Sequence, residues 1–114
     1  MAETRTPPNT ELLRELAGDF ADDPAVAMGT MFRSPGLRVG TKIFAFLGFD
    51  GELIVKLPVD RVAELVEAGD ATQVTMGKRT MREWVTIEPA PDDDATLARW
   101  RPLAAEAHRF VAAG

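Results

Sequence analysis

Lys42-Ile43-Phe44-Ala45-Phe46-Leu47, Gly48-Phe49-Asp50-Gly51-Glu52 and Leu53-Ile54-Val55-Lys56-Leu57 form the stretch that decides the fold. Two runs of aliphatic, aromatic and β-branched residues flank an Asp-Gly pair, the pattern of a β-hairpin. With Asp50-Gly51 as a two-residue loop, Phe46 faces Val55 and Phe44 faces Leu57. Side chains alternate across a sheet, so Phe44, Phe46, Leu53, Val55 and Leu57 then share the core face. The opposite face carries Ile43, Ala45, Leu47, Ile54 and Lys56, apolar apart from one cation. On this register Phe46→Ala costs ~3–5 kcal/mol, the range for emptying a buried aromatic site.

Upstream of the hairpin, residues 1–8 are polar and Pro-rich and are expected to be flexible. Asn9 or Thr10 can cap a helix whose Leu12, Leu13, Leu16, Ala17 and Phe20 share a face and which stops before Pro24. Ala25–Phe32 reads as a strand, Ser34-Pro35-Gly36 as a turn and Leu37–Val39 as a short extended piece. Downstream, Asp60 caps a helix over Arg61–Ala68 that buries Val62, Leu65 and Val66 and stops at Gly69. Ala71–Thr80 lacks periodicity and reads as a loop; Met81–Glu88 reads as a strand with Val85 and Ile87 alternating against Arg82, Trp84 and Thr86. Pro89-Ala90-Pro91 and Asp92–Asp94 form an exposed break. A last helix follows, with Trp100, Leu103, Ala104, Ala107, Phe110 and Val111 on one stripe and Pro102 in its first turn. The expected fold is α+β, order α-β-β-β-α-β-α, an antiparallel sheet with helices packed on it in a single domain, 1–114.

Composition narrows the function classes. The 114 residues include no cysteine and one histidine, which excludes thiol chemistry, Cys-ligated metals and His-pair metal sites. No apolar run approaches a membrane span and the N-terminus lacks a signal-peptide pattern, so the expected setting is cytoplasmic, without membrane. Ser34 is the only serine and has no base beside it in the sequence. Asp92–Asp94 lacks the spacing of a calcium loop and reads as a solvated acidic segment; His108 reads as a surface histidine near the end of the last helix. No catalytic residue, cofactor or metal is expected.

What remains is a set of binding candidates. Strand parity puts Lys56, Arg82 and Trp84 on one side of the sheet, an aromatic flanked by cations suited to an anionic or planar ligand or a partner's hot spot. A partner-binding module is also expected to expose a compact apolar patch, with Leu47, Ile54 and Trp84 as its candidates. Arg33, Arg38 and Lys42 lie in an acid-free stretch, as do Lys78, Arg79 and Arg82. A net charge of −5 disfavours a long phosphate backbone as the partner of this basic patch and favours a protein.

Met31-Phe32-Arg33-Ser34-Pro35-Gly36-Leu37, Gly40-Thr41-Lys42-Ile43-Phe44-Ala45, Leu53-Ile54-Val55-Lys56-Leu57-Pro58 and Met81-Arg82-Glu83-Trp84 together resemble the TfoX/Sxy N-terminal domain family. The related MmcQ/YjbR family, with a CyaY-like α+β fold, is similar in length and element order. The resemblance runs from about Met31 into the last helix, where Trp100, Leu103, Ala104 and Phe110 fit its closing pattern. Arg33 stands where the family usually shows glycine after Met-Phe. The resemblance implies a CyaY-like fold and a non-enzymatic regulatory or interaction module linked to transcription. Its alternative is weak, direct nucleic-acid binding through Arg33, Arg38, Lys42, Lys56, Lys78, Arg79 and Arg82. A small-ligand pocket beside Trp84 is a third, lesser expectation.

Overall fold

In the computed structural model, which describes residues 8–31 and 33–114, Leu47 pairs with Leu53 and Phe46 with Ile54. The expected pairing of Phe46 with Val55 is therefore one residue out of register. The turn is a three-residue loop, Phe49-Asp50-Gly51, closed by the Gly48 N–H donating to the Glu52 carbonyl at 2.8 Å. A two-residue Asp-Gly turn needs positive φ at both central residues. Here Gly51 alone supplies it, with φ 87, so the loop takes one more residue and ends on the glycine. The slip exchanges the faces of one strand relative to the other.

The elements are α1 (Thr10–Gly18), β1 (Val26–Met31), β2 (Ser34–Val39), β3 (Lys42–Leu47), β4 (Leu53–Lys56), α2 (Val59–Glu67), β5 (Thr72–Met76), β6 (Arg79–Ile87) and α3 (Asp93–Ala113). The fold is α+β, as expected, with six strands in one antiparallel sheet ordered β1-β2-β3-β4-β6-β5. The order α-β-β-β-β-α-β-β-α adds two strands to the expected one. Ser34-Pro35-Gly36 opens β2 instead of making a turn. Gly36 is required there by close strand approach, because a Cβ would come within 2.7 Å of the Ala45 carbonyl oxygen. The turn falls at Arg33, whose φ of 65 is the left-handed conformation that favours glycine. β5 occupies the expected loop at 71–80. Its alternation is broken by a register shift between Gln73 and Val74, and the Gln73 Nε2 donates to the carbonyls of Met81 (2.7 Å) and Trp84 (3.0 Å). A side chain does there what the ladder does elsewhere.

A second irregularity decides the core. Leu37 pairs with Ala45 and Arg38 with Ile43, leaving Phe44 as one extra residue on β3. A bulge of this kind re-aims side chains locally. Phe44 and Ala45 both enter the helix-covered core with Leu47, Leu53, Val55, Leu57, Val85 and Ile87, while Phe46 and Ile54 lie outside that cluster. Ala45 and Leu47 thus leave the outer face to which the two-residue loop assigns them, and Phe46 joins it.

The helices follow their apolar stripes, with corrections in each. Asn9 has φ 74 and makes no side-chain cap; its Nδ2 donates to the Gly51 carbonyl at 2.8 Å, docking the start of α1 on the hairpin. Asp60 lies inside the first turn of α2 behind Pro58, and Val66 is 37% exposed, leaving Val62 and Leu65 buried. The acidic run is not a free loop, because Asp92 caps α3 by accepting the Ala95 N–H at 2.8 Å. Pro102 consequently sits inside α3, not in its first turn. Packing of the long apolar stripe, with Trp100 at its centre, outweighs the lost N–H.

The sheet curls. Val74 and Thr75 on β5 border the same cavity as Ser34 on β2, although four strand spacings of about 4.8 Å separate these strands in a flat sheet. The face away from the helices is therefore concave, which leaves Phe46 6% and Ile54 9% exposed without a helix above them. Phe46→Ala is expected to destabilise the protein in a urea titration by less than Phe44→Ala, because Phe46 lies outside the helix-covered core cluster.

Candidate binding face

Pairing of β4 with β6 sets Lys56 directly opposite Trp84. The Lys56 Nζ lies 5.9 Å from the indole centroid, within cation–π range, and Trp84 meets Phe46 edge-on at 5.5 Å. Lys56 and Trp84 are each half-buried on the concave face. A lysine on a largely apolar strand has to reach solvent or a partner group. Here it runs along the sheet and places its charge over the indole. Arg82, the third expected member, is exposed two residues earlier on β6. The expected exposed patch of Leu47, Ile54 and Trp84 does not form: Leu47 is fully buried in the helix-side core and Ile54 is nearly so. Among the described residues the large apolar side chains exposed instead are Met28, Phe49, Val59 and Val66, scattered over β1, the hairpin loop and α2.

The basic residues do not make one continuous patch. Arg33 lies in the β1–β2 turn, at the end of the sheet that holds the 48–52 hairpin loop. Arg38 and Lys42 flank the β2–β3 turn at the other end, where Arg38 Nη1 donates to the Gly40 carbonyl (2.6 Å) and Lys42 Nζ to the Gly114 oxygen (3.3 Å). Lys78 and Arg79 are exposed at the β5–β6 turn.

Two features escaped the sequence. One is the cavity of ≈ 360 Å³ enclosed by the curl, walled by Phe46, Leu47, Phe49, Ile54 and Val74 with Ser34, Glu52 and Thr75 as polar members. The other is His108, which is no surface residue. Its ring lies 4.8 Å from Phe20 and 5.5 Å from Phe44, and its Nε2–H donates to Asp23 Oδ2 at 2.8 Å. One turn pair earlier on α3, Arg101 reaches Asp19 at 3.1 Å, so two polar side-chain contacts tie the 19–23 segment to α3. The only sequence signal for this was the acid-rich 19–23 run itself.

The Ala25 N–H, donating to Asp23 Oδ1 at 2.9 Å, holds the Asp23 carboxyl below its ordinary value, and His108 adds to the effect. A depressed carboxylate stabilises the fold above its unfolded pKa and loses that contribution as pH falls through its folded pKa. Asp23→Asn is accordingly expected to melt below the parent at neutral pH. The gap should narrow as the pH is taken below the ordinary carboxylate range. A gap independent of pH in paired melting curves would assign the loss to packing alone.

A further cavity of ≈ 460 Å³ opens between α2, α3 and β5. Arg61 there is already bound by Glu106 through two hydrogen bonds of 2.8 and 3.1 Å, which raise its pKa above the ordinary value. Among the described residues no group of three or more His, Cys, Asp or Glu is placed to hold a metal, and no helix is long and apolar enough to cross a membrane. No family model, curated protein or solved structure matches the chain.

Proposed function

We propose that this chain is a non-catalytic binding module of the regulatory kind that the TfoX N-terminal resemblance implies, and that it engages a protein partner through the Lys56–Trp84 edge of its concave sheet face. The observation that carries this reading is the cation held 5.9 Å from a half-buried indole, on the sheet face opposite the core that the described helices cover. Aromatic and cationic side chains dominate binding energy at protein interfaces. Arg33, which departs from the glycine usual in the resembled family, takes a left-handed φ of 65, a conformation that favours glycine.

The test is a pull-down from the native cytoplasm with and without nuclease, followed by titration of variants against the recovered partner. Lys56→Met is expected to keep stability within ~0.5 kcal/mol of the parent while weakening binding by ~1–3 kcal/mol. Arg82→Met should behave alike, and Trp84→Ala should lose more in binding than in fold. Unchanged affinity in both cation variants would return these side chains to ordinary structure. Direct nucleic-acid binding is the second reading, supported by the exposure of Arg33, Lys42, Lys78, Arg79 and Arg82. It requires material lost on nuclease treatment and affinity that falls steeply with salt.

A further inference from the structure

The cavity under the curled sheet has a chemistry of its own. Its walls are the side chains of Phe46, Ile54 and Val74, and Phe49, 53% exposed, stands at its rim. Glu52 is the one ionisable side chain among the described lining residues. Its carboxylate is held in place: Oε1 accepts the Asp50 N–H at 3.0 Å, and the carboxylate packs so closely on Gly48 that a Cβ there would collide with it. One carboxylate oxygen is thus used by the turn while the group as a whole borders the apolar space. A volume of ≈ 360 Å³ falls at the lower end of the range for small-molecule sites, which are apolar with a few fixed polar groups.

We propose that this cleft binds a small apolar molecule bearing an ammonium head, the body lying against Phe46, Ile54 and Val74 and the head on Glu52. An apolar body gains from leaving water. A fixed carboxylate beside apolar walls favours a cation over a neutral or anionic head. The Ser34 and Thr75 hydroxyls supply further hydrogen-bonding groups around the cavity. Glu52 precedes β4 and Lys56 ends it, about 13 Å apart along an extended strand. The two charged groups are therefore separate, although the cleft residue Phe46 meets Trp84 edge-on; neither proposal depends on the other.

The probes are phenethylammonium, its neutral counterpart phenethyl alcohol and its anionic counterpart hydrocinnamate, followed by amide NMR shifts. Phenethylammonium is expected to move the amides of Phe46, Ile54 and Val74 and to bind about tenfold or more tightly than hydrocinnamate, the discrimination of one charge-assisted contact. Glu52→Gln, which keeps an acceptor for the Asp50 N–H, should erase that preference and leave binding of the alcohol intact. Val74→Phe, which enlarges a residue of the wall, should fill the cleft and abolish binding of all three probes. The probe titrations read the cleft with no protein partner present, so failure of the partner titration and failure of the cleft remain distinct results. The proposal is overturned if no probe moves these amides, if hydrocinnamate binds as well as the cation, or if binding survives in a folded filling variant.

Discussion

Trp100→Ala is expected to remove most of the stability of this protein. The indole is fully buried at the centre of α3, and its Nε1–H donates to the Ile87 carbonyl at 3.2 Å, fastening the helix to the end of β6. Emptying a buried aromatic site costs about 3–5 kcal/mol, and a lost hydrogen bond adds about 1 kcal/mol. Domains of this size have about 5–15 kcal/mol in total. The variant should therefore show an early, shallow urea transition, whereas Trp100→Phe, which keeps most of the volume, should lose clearly less. A loss under about 1 kcal/mol for the alanine variant would mean that α3 is not the keystone of the core.

Phe44→Ala has the second largest expected effect, again about 3–5 kcal/mol, because the ring is fully buried. It also sits in a three-ring cluster, edge-on to Phe20 at 5.4 Å and to His108 at 5.5 Å. Such pairs add about 0.5–1.5 kcal/mol beyond area. A double-mutant cycle of Phe44→Ala with Phe20→Ala is expected to return a coupling of that size. Additivity in that cycle would place the bulged residue elsewhere.

That contrast between Phe44 and Phe46 also locates the limit of what the sequence made legible. The helices were readable because an apolar stripe at helical spacing survives local irregularity: Leu12, Leu13 and Leu16, and Trp100, Leu103 and Ala107, are buried as their spacing implies. β3 and β4 were readable as strands for their composition. Their register was not, because an Asp-Gly pair serves a two-residue or a three-residue loop with equal ease, and one residue exchanges the faces. The bulge at Phe44 then restored one of the two phenylalanines to the core. β5 escaped notice because its alternation is broken at Gln73, and a side chain replaces ladder hydrogen bonds there. The Lys56–Trp84 pairing needed only strand parity and a neighbour assumption, and it stands in register. The cavity needed the curl of the sheet, which brings residues of β2 and β5 to the border of one space and which no local pattern encodes.

The way the two terminal helices meet bears on how the chain acquires its structure. β1 to β4 form a run of consecutive hairpins, whose contacts close over short sequence separations. α1, by contrast, packs on α3 across some eighty residues, through Asp19 with Arg101 and Asp23 with His108. During synthesis the four-strand meander can therefore assemble well before α3 emerges, yet the side chains of Leu53 and Val55 on β4 have no lid until it does. A growing chain passes through a stage with an ordered sheet and a bare apolar surface, the kind of species on which aggregation and chaperone capture act.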